Sequence, residues 1–228
     1  MSNFSERKDI KVVQEASYAR QQARAFLHRA RMAKIPEQYL RINKNSFENL
    51  LCPKYHGGKE GTAKFADYIY NSPNEILKKD FVLIDGGSDN ERQMAGFALL
   101  FRLILCDRWA SSISCASLCR GVETVRPLDE MSREDRVNEL KSFDVLFIGE
   151  FKRTLFKPGW QAGEILDEIL LWRINNSNIT IVSSVDPIIK DNKIGNEDSS
   201  RKMADLSVVE KTTDKVLRIK VRLTKNGN

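Results

Sequence analysis

The sequence lacks several features that would assign a protein to a class at once. It contains no run of 18 apolar residues, so we expect no transmembrane helix. Its first residues are charged and include no apolar block, which argues against a signal peptide and predicts a cytoplasmic protein. Only four cysteines occur, and Cys115 and Cys119 have no second cysteine pair beside them. We therefore predict buried thiols rather than a metal site.

The positive charge of the chain is concentrated near its N-terminus. The formal net charge is +6, and residues 1–45 hold ten Lys and Arg against four acids, which accounts for the whole excess. The remaining residues carry 27 charges of each sign. A neutral body with a basic arm predicts an acidic partner, most simply nucleic acid.

Residues 8–34 have the spacing of a single helix that ends before Pro36. Apolar residues recur every three or four positions, and the narrow seam of Ala19, Ala23 and Phe26 predicts docking on a partner helix. A second face carries Arg20, Arg24 and Arg31, for which we predict contacts with DNA phosphates. A solvated basic face that binds nothing would show the same pattern.

The rest of the chain divides into a connector and an α/β domain. We predict that residues 1–34 form the basic helix, 35–62 an irregular connector with a Gly- and Pro-rich loop at 52–61, and 63–228 the α/β domain. Strand and helix patterns alternate in that domain, which indicates a five-stranded parallel sheet with helices on both faces. The predicted strands are 81–85, 113–118, 144–148, 179–183 and 216–223. The predicted helices are 91–109, 132–141, 161–174 and 199–206. The alternating apolar and basic residues of the last strand suit an edge strand.

The stretch FVLIDGGSDNERQ, residues 81–93, is the one around which this domain is organised. A hydrophobic strand, a glycine turn and a helix form the layout of a phosphate-binding loop, in which backbone N–H groups face an anion. Candidate anion contacts are Gly86, Gly87, Ser88, Arg92 and Gln93. A simple turn in an α/β domain would explain the same glycines.

The chemistry of this stretch departs from the phosphate-loop motif G-x-x-x-x-G-K-S/T. When the motif is aligned on Gly86, Glu91 replaces its second Gly, Arg92 its Lys and Gln93 its Ser or Thr. The fork of Arg92 does not replace a compact ammonium, and Gln93 lacks the hydroxyl that binds Mg²⁺. Asp89 and Glu91 add negative charge, which would repel a phosphate about 4 Å away by roughly 1–4 kcal/mol.

Three further stretches fit a nucleotide-binding sheet. FDVLFIGEF ends a strand with Gly149 where such a site has a metal-binding carboxylate, so that Glu150 is the only candidate catalytic acid. ITIVSSVD places Ser183 and Ser184 where a side chain would sense a phosphate. Arg201, in the SSR sequence before the last strand, is positioned to reach a nucleotide across a subunit boundary.

The order of these stretches resembles the DnaC/DnaI-type helicase loaders and the related IstB transposition ATPases. IPEQY followed by SFENL, the altered phosphate loop, FDVLFIGEF, ITIVSSVD and SSRKMADLSVVE stand in that family's order over residues 30–223. The resemblance implies an AAA+ sheet of the phosphate-loop NTPase type, binding of ATP and Mg²⁺, contact with single-stranded DNA, and delivery of a DnaB-type replicative helicase onto DNA.

The altered motifs favour a protein that does not hydrolyse ATP and binds ATP or ADP weakly or not at all. We predict a helicase loader or loader-adaptor that contacts a replicative helicase or an AAA+ paralogue and single-stranded DNA; assembly into a homo-oligomer is a further expectation. Three alternatives stay open. They are an atypical ATPase in which Arg92 and Glu150 act, a transposition regulator of the IstB kind, and a protein-interaction domain whose basic arm only increases solubility.

Overall fold

A five-stranded parallel sheet forms the centre of the protein. The computed structural model describes residues 3–123, 132–152, 155, 162–184 and 213–222. The strands are β1 (Phe81–Gly86), β2 (Ala110–Ser114), β3 (Val145–Phe151), β4 (Ile179–Ser184) and β5 (Val216–Val221). Their order in the sheet is β2-β3-β4-β1-β5, and every neighbouring pair is parallel. The predicted parallel sheet is therefore confirmed, and its last strand lies at an edge.

Helices cover both faces of this sheet. They are α1 (Asn3–Met32), α2 (Lys44–Leu50), α3 (Gly58–Asn71), α4 (Pro73–Ile76), α5 (Asp89–Ile104), α6 (Cys115–Glu123), α7 (Arg133–Ser142) and α8 (Ala162–Asn175), with a 3-10 helix at Glu37–Arg41. Successive residues of a strand point to opposite faces, so Val82 and Ile84 join one core cluster while Phe81 and Leu83 join the other. None of the helices in the described ranges is long and apolar enough to cross a membrane.

Helix α5 is buried in the first of these clusters, as its nearly continuous apolar sequence predicts. Gly96 lies against the Phe147 ring of β3, and a Cβ at this position would overlap that ring. Phe97 packs edge-on to Phe147 and stacks on Tyr39, at centroid distances of 5.0 and 4.8 Å. These contacts hold the middle of α5 against β3 and against the 3-10 helix.

Two parts of the predicted secondary structure are wrong. The strand predicted at 113–118 ends at Ser114, whose Oγ accepts a hydrogen bond from the Ser117 N–H, and helix α6 follows. Cys115, Leu118 and Cys119 are buried at helical spacing, and a short apolar run of this kind fits a helix as well as a strand.

The predicted connector, residues 35–62, is also more regular than expected. Asn43 caps α2 by accepting a hydrogen bond from the Ser46 N–H, and Gly57, with a φ of +80°, leads directly into α3. The glycines of this stretch therefore begin a helix instead of forming an extended loop. The helix predicted at 199–206 lies outside the described residues.

Helix α1 packs on the domain through its last turn. Ala30 and Ala33 are fully buried, and the Ser112 Oγ of β2 donates a hydrogen bond to the Ala33 carbonyl over 2.9 Å. Residues 17–25, by contrast, are all exposed. The exposed part of α1 thus projects beyond the packed core, and it carries most of the predicted basic and alanine-rich faces.

Candidate functional site

The sequence motifs meet at the carboxyl ends of three adjacent strands. β3, β4 and β1 are neighbours, so the segment 86–93 lies beside Glu150 and Ser183 at the carboxyl ends of these strands. Ligands of open α/β sheets bind at the carboxyl ends of the strands. The structure therefore brings together the residues predicted to form a phosphate site, apart from Arg201, which lies outside the described residues.

The turn between β1 and α5 is shorter than a phosphate loop. In the motif four residues separate the two glycines, whereas here α5 has begun at Asp89, the third of those four positions. Ser88 is the N-cap: its Oγ accepts a hydrogen bond from the Glu91 N–H, and its own N–H donates to the Glu91 carboxylate over 2.7 Å. This capping box uses backbone donors that would otherwise face an anion.

Arg92 folds back onto the turn rather than facing solvent. Its Nη1 donates to the carbonyls of Gly86 and Gly87 over 2.6 and 2.7 Å, and its Nη2 pairs with Asp89. The Arg92 side chain is only 5% exposed. We call Ser88, Asp89, Glu91 and Arg92 the turn clamp, because together they bind the backbone of the turn from within the chain.

The two glycines of the turn are explained by the approach of β5. Their φ angles are +79° at Gly86 and +55° at Gly87, a region that favours glycine. A Cβ on Gly86 would lie 2.6 Å from the Val221 carbonyl oxygen, and one on Gly87 would lie 2.8 Å from both Val221 Cγ2 and Glu91 Oε2. Close packing of the protein's own backbone thus requires both residues.

Glu150 is held at the end of β3 by two neighbours. Its Oε1 accepts a hydrogen bond from Gln93 Nε2 over 2.6 Å, and its backbone N–H donates to Ser183 Oγ over 2.9 Å. Its φ of +59° is unusual for a residue with a Cβ, and strained backbone of this kind clusters at functional sites. Ser183 and Ser184 are both buried, and the Ser184 Oγ donates to the Phe151 carbonyl over 3.5 Å.

The residues present do not fit Mg²⁺-ATP. The Ser88 N–H is bound by Glu91, the Asp89 carboxylate lies at the start of α5, and Gln93 is bound to Glu150. No packing constraint accounts for Gly149, since a Cβ there would lie no closer than 3.7 Å to another atom. Across the part of the chain that the structure describes, no group of three or more His, Cys, Asp or Glu side chains is arranged to hold a metal ion.

The residues predicted to bind a partner protein or DNA lie on α1, away from the carboxyl ends of the strands. Arg20, Arg24 and Arg31 are exposed, as are Ala19 and Ala23, while Phe26 is half-buried. Their roles stay predictions.

Sequence reasoning missed the turn clamp, although a signal for it was present. Ser88 followed three residues later by Glu91 is a capping-box pattern, which starts the helix too early for a phosphate loop.

Several solved structures are similar to this chain in fold. The chain is similar to the DnaC helicase loader, with a TM-score of 0.52 and 14% identity, over 81% of this chain and 99% of that one. It is similar to DnaI, with a TM-score of 0.52 and 14% identity, over 82% and 91%. It also resembles the AMPPCP-bound DnaA of Aquifex aeolicus, with a TM-score of 0.50 and 15% identity, over 74% of this chain and 51% of DnaA.

This chain has the AAA+ fold. The resemblance to DnaC- and DnaI-type loaders predicted from the sequence is thus confirmed as a likeness of fold. The chain spans about half the length of the DnaA chain and nearly all of the DnaC and DnaI chains. No protein-family model and no curated protein sequence matches it.

Proposed function

We propose that this AAA+ protein is a non-hydrolysing helicase loader or loader-adaptor of DNA replication, which binds a DnaB-type replicative helicase and single-stranded DNA in the cytoplasm. One observation carries the proposal: the turn that would receive a triphosphate is closed by the turn clamp. An AAA+ domain of this kind serves as a scaffold that presents binding surfaces.

The exposed part of α1 is the surface proposed for the helicase or for an AAA+ paralogue. Residues 17–28 extend over roughly 18 Å at 1.5 Å per residue. Ala19 and Ala23 are exposed small residues on the side of the helix that, further along, buries Ala30 and Ala33. Small residues allow another helix to approach closely, and Phe26 supplies a larger apolar anchor at the end of this seam.

Co-purification with a hexameric DnaB-type helicase tests this surface. We expect the double variant Ala19→Asp and Ala23→Asp to lose the complex, because it places charge in an apolar contact. A matched control, Ser17→Asp with Gln21→Asp, adds the same charge at exposed positions on the opposite face of α1 and should keep the complex. Gly149→Ala should also keep it, since a Cβ there has no close neighbour and the proposal assigns Gly149 no contact with the partner. Equal loss in the seam variant and the control would contradict the seam.

Arg20, Arg24 and Arg31 are the residues proposed to bind DNA phosphates. Each phosphate contact to a single strand contributes about 0.7 to the slope of log affinity against log salt. Replacing all three by Ala should therefore lower that slope by about 2 for an oligothymidylate. The charge-matched control replaces Lys54, Lys59 and Lys64 on and before α3. If the variant that lacks the three arginines has the same salt slope as the control, these arginines do not bind DNA phosphates.

An atypical ATPase is the second candidate, favoured by the strained backbone of Glu150 and by its contact with Gln93. In that case Glu150→Gln and Arg92→Ala would each abolish ATP turnover. The adaptor proposal expects no turnover by the unaltered chain in the presence of helicase and DNA. Measuring phosphate release by these three proteins under the same conditions separates the two candidates.

A further inference from the structure

A cleft opens at the amino end of β2, whereas the turn clamp lies at the carboxyl ends of the strands. It has a volume of about 360 Å³ and lies between the end of α1, the end of α5 and the start of β2. Its lining includes Arg29, Met32, Asp107, Arg108 and Trp109. The strand motifs do not use any of these residues, which come from the end of α1 and from the segment just before β2.

Trp109 is presented at this cleft in a fixed position. The residue is 59% exposed, yet its backbone N–H donates to Asp144 Oδ2 over 3.0 Å and its carbonyl accepts from the Val145 N–H over 3.1 Å. Phe143 packs against it with a centroid distance of 4.7 Å. Tryptophan is a largely buried residue in most proteins, so a supported ring left open to solvent indicates a binding surface.

The charges around the ring favour an anion. Arg108 is exposed, and among the described residues it makes no hydrogen bond or ion pair; Arg29 pairs with Asp107. The lining of the cleft therefore has two cations against the Asp107 carboxylate, while the Asp144 carboxylate beside it is bound to the Trp109 N–H. The cleft also lies next to the segment that holds all the excess positive charge of the chain. A flat aromatic ring beside an unpaired guanidinium is complementary to a base with its phosphate.

The cleft is distinct from the arginines already proposed to bind DNA. At about 100° per residue, Tyr18, Arg29 and Met32 point to one flank of α1, and Arg20, Arg24 and Arg31 point roughly 130° away. Tyr18 and Met32 are 63% and 66% exposed. This flank of α1 is therefore open to solvent from Tyr18 to the cleft, where Trp109 is the second exposed aromatic residue.

We propose that Trp109, Arg108 and Arg29 form a base-stacking subsite for single-stranded nucleic acid. One base stacks on the open part of the Trp109 ring, and Arg108 binds the adjoining phosphate. This subsite rests on the DNA-binding part of the proposed function, and it is independent of Arg20, Arg24 and Arg31.

Fluorescence anisotropy with a labelled oligothymidylate of about 20 nucleotides tests the subsite. Stacking of one base contributes about 1–3 kcal/mol, so Trp109→Ala should weaken binding about 5- to 150-fold without changing the salt slope. Trp109→Phe should recover most of the affinity, because it keeps an aromatic face. The matched control is Trp172→Ala, which removes another partly exposed tryptophan, 38% exposed, from α8.

A second variant keeps the test valid if Trp109→Ala unfolds the chain. Arg108 is exposed and without a described partner, so Arg108→Ala should fold normally and lower the salt slope by about 0.7. Wild-type affinity in Trp109→Ala, affinity in Trp109→Phe as low as in Trp109→Ala, or an unchanged salt slope in Arg108→Ala would overturn the subsite.

The outcomes also separate the subsite from the wider proposal. If the unaltered chain binds the oligonucleotide and the Trp109 and Arg108 variants match it, only the subsite fails. If the unaltered chain binds no oligonucleotide at low salt, DNA binding fails and the subsite fails with it. If Trp109→Ala binds DNA normally but loses the helicase, the cleft is a protein-binding site and the inference is wrong.

Discussion

Replacing Arg92 distinguishes a structural clamp from a phosphate-binding residue. In the structure its guanidinium binds the Gly86 and Gly87 carbonyls and the Asp89 carboxylate, and its side chain is 5% exposed. Arg92→Ala would leave these acceptors without their donor in a nearly buried position. In a phosphate loop, by contrast, the same change would weaken nucleotide binding and leave the stability of the empty protein almost unaltered.

The size of the expected effect follows from these contacts. A hydrogen bond to a charged group contributes about 1.5–3 kcal/mol, and two of them hold the turn. The pair with Asp89 adds little, because that carboxylate is 45% exposed. We therefore expect Arg92→Ala to lower the free energy of unfolding by about 3–5 kcal/mol. Arg92→Lys should lose about half of that, since a point charge cannot reproduce the fork.

Urea denaturation followed by circular dichroism measures these differences. Arg24→Ala serves as the control, because it removes an arginine that is exposed on α1 and should change stability by no more than about 0.5 kcal/mol. A loss below about 1 kcal/mol in Arg92→Ala would refute the clamp. A Lys variant as stable as the unaltered chain would also refute it.

Four further substitutions test the packing of the domain, each by denaturation. Gly87→Ala should cost about 1–3 kcal/mol because of its positive φ and its contact with β5, whereas Gly149→Ala, with no neighbour closer than 3.7 Å, should be tolerated; equal losses would contradict this. Burial lowers the pKa of His56 from 6.5, so the unfolded chain binds its proton more tightly, and stability should fall as the pH drops below 6.5. His56→Gln should flatten that dependence, and an unchanged profile would contradict it. Arg173→Met should cost at least about 3 kcal/mol, because Arg173 is fully buried and its guanidinium donates to four backbone carbonyls between α7 and β4 within 3.3 Å; a neutral effect would contradict that role.

The sequence predicted the sheet well because its signals are local and strong. Buried parallel strands are short apolar runs, and four of the five predicted strands agree closely with the structure. The failure at β2 has a physical cause, since Cys115, Leu118 and Cys119 satisfy helical spacing and lie directly after a strand. Only packing of α6 against α7, α8 and β3 decides between the two structures there.

The position of the candidate site could be predicted, but its chemistry could not. A Gly-Gly turn between a strand and a helix is compatible with an anion cradle and with a closed turn. The choice depends on where Arg92 points, and that depends on carbonyls brought near it by the turn itself. The cleft at Trp109 gave no sequence signal, because it combines residues from α1 and from the end of α5 that are distant in the chain.

Calorimetric titration of the purified chain with ATP and with ADP, each with and without Mg²⁺, tests the central claim most directly. The turn clamp occupies the donors of the turn, and the residues beside it supply no Mg²⁺ ligand set, so the account predicts no binding heat at millimolar nucleotide. Mg²⁺-dependent binding in the micromolar range would contradict it, because the turn would then have to open and accept a triphosphate.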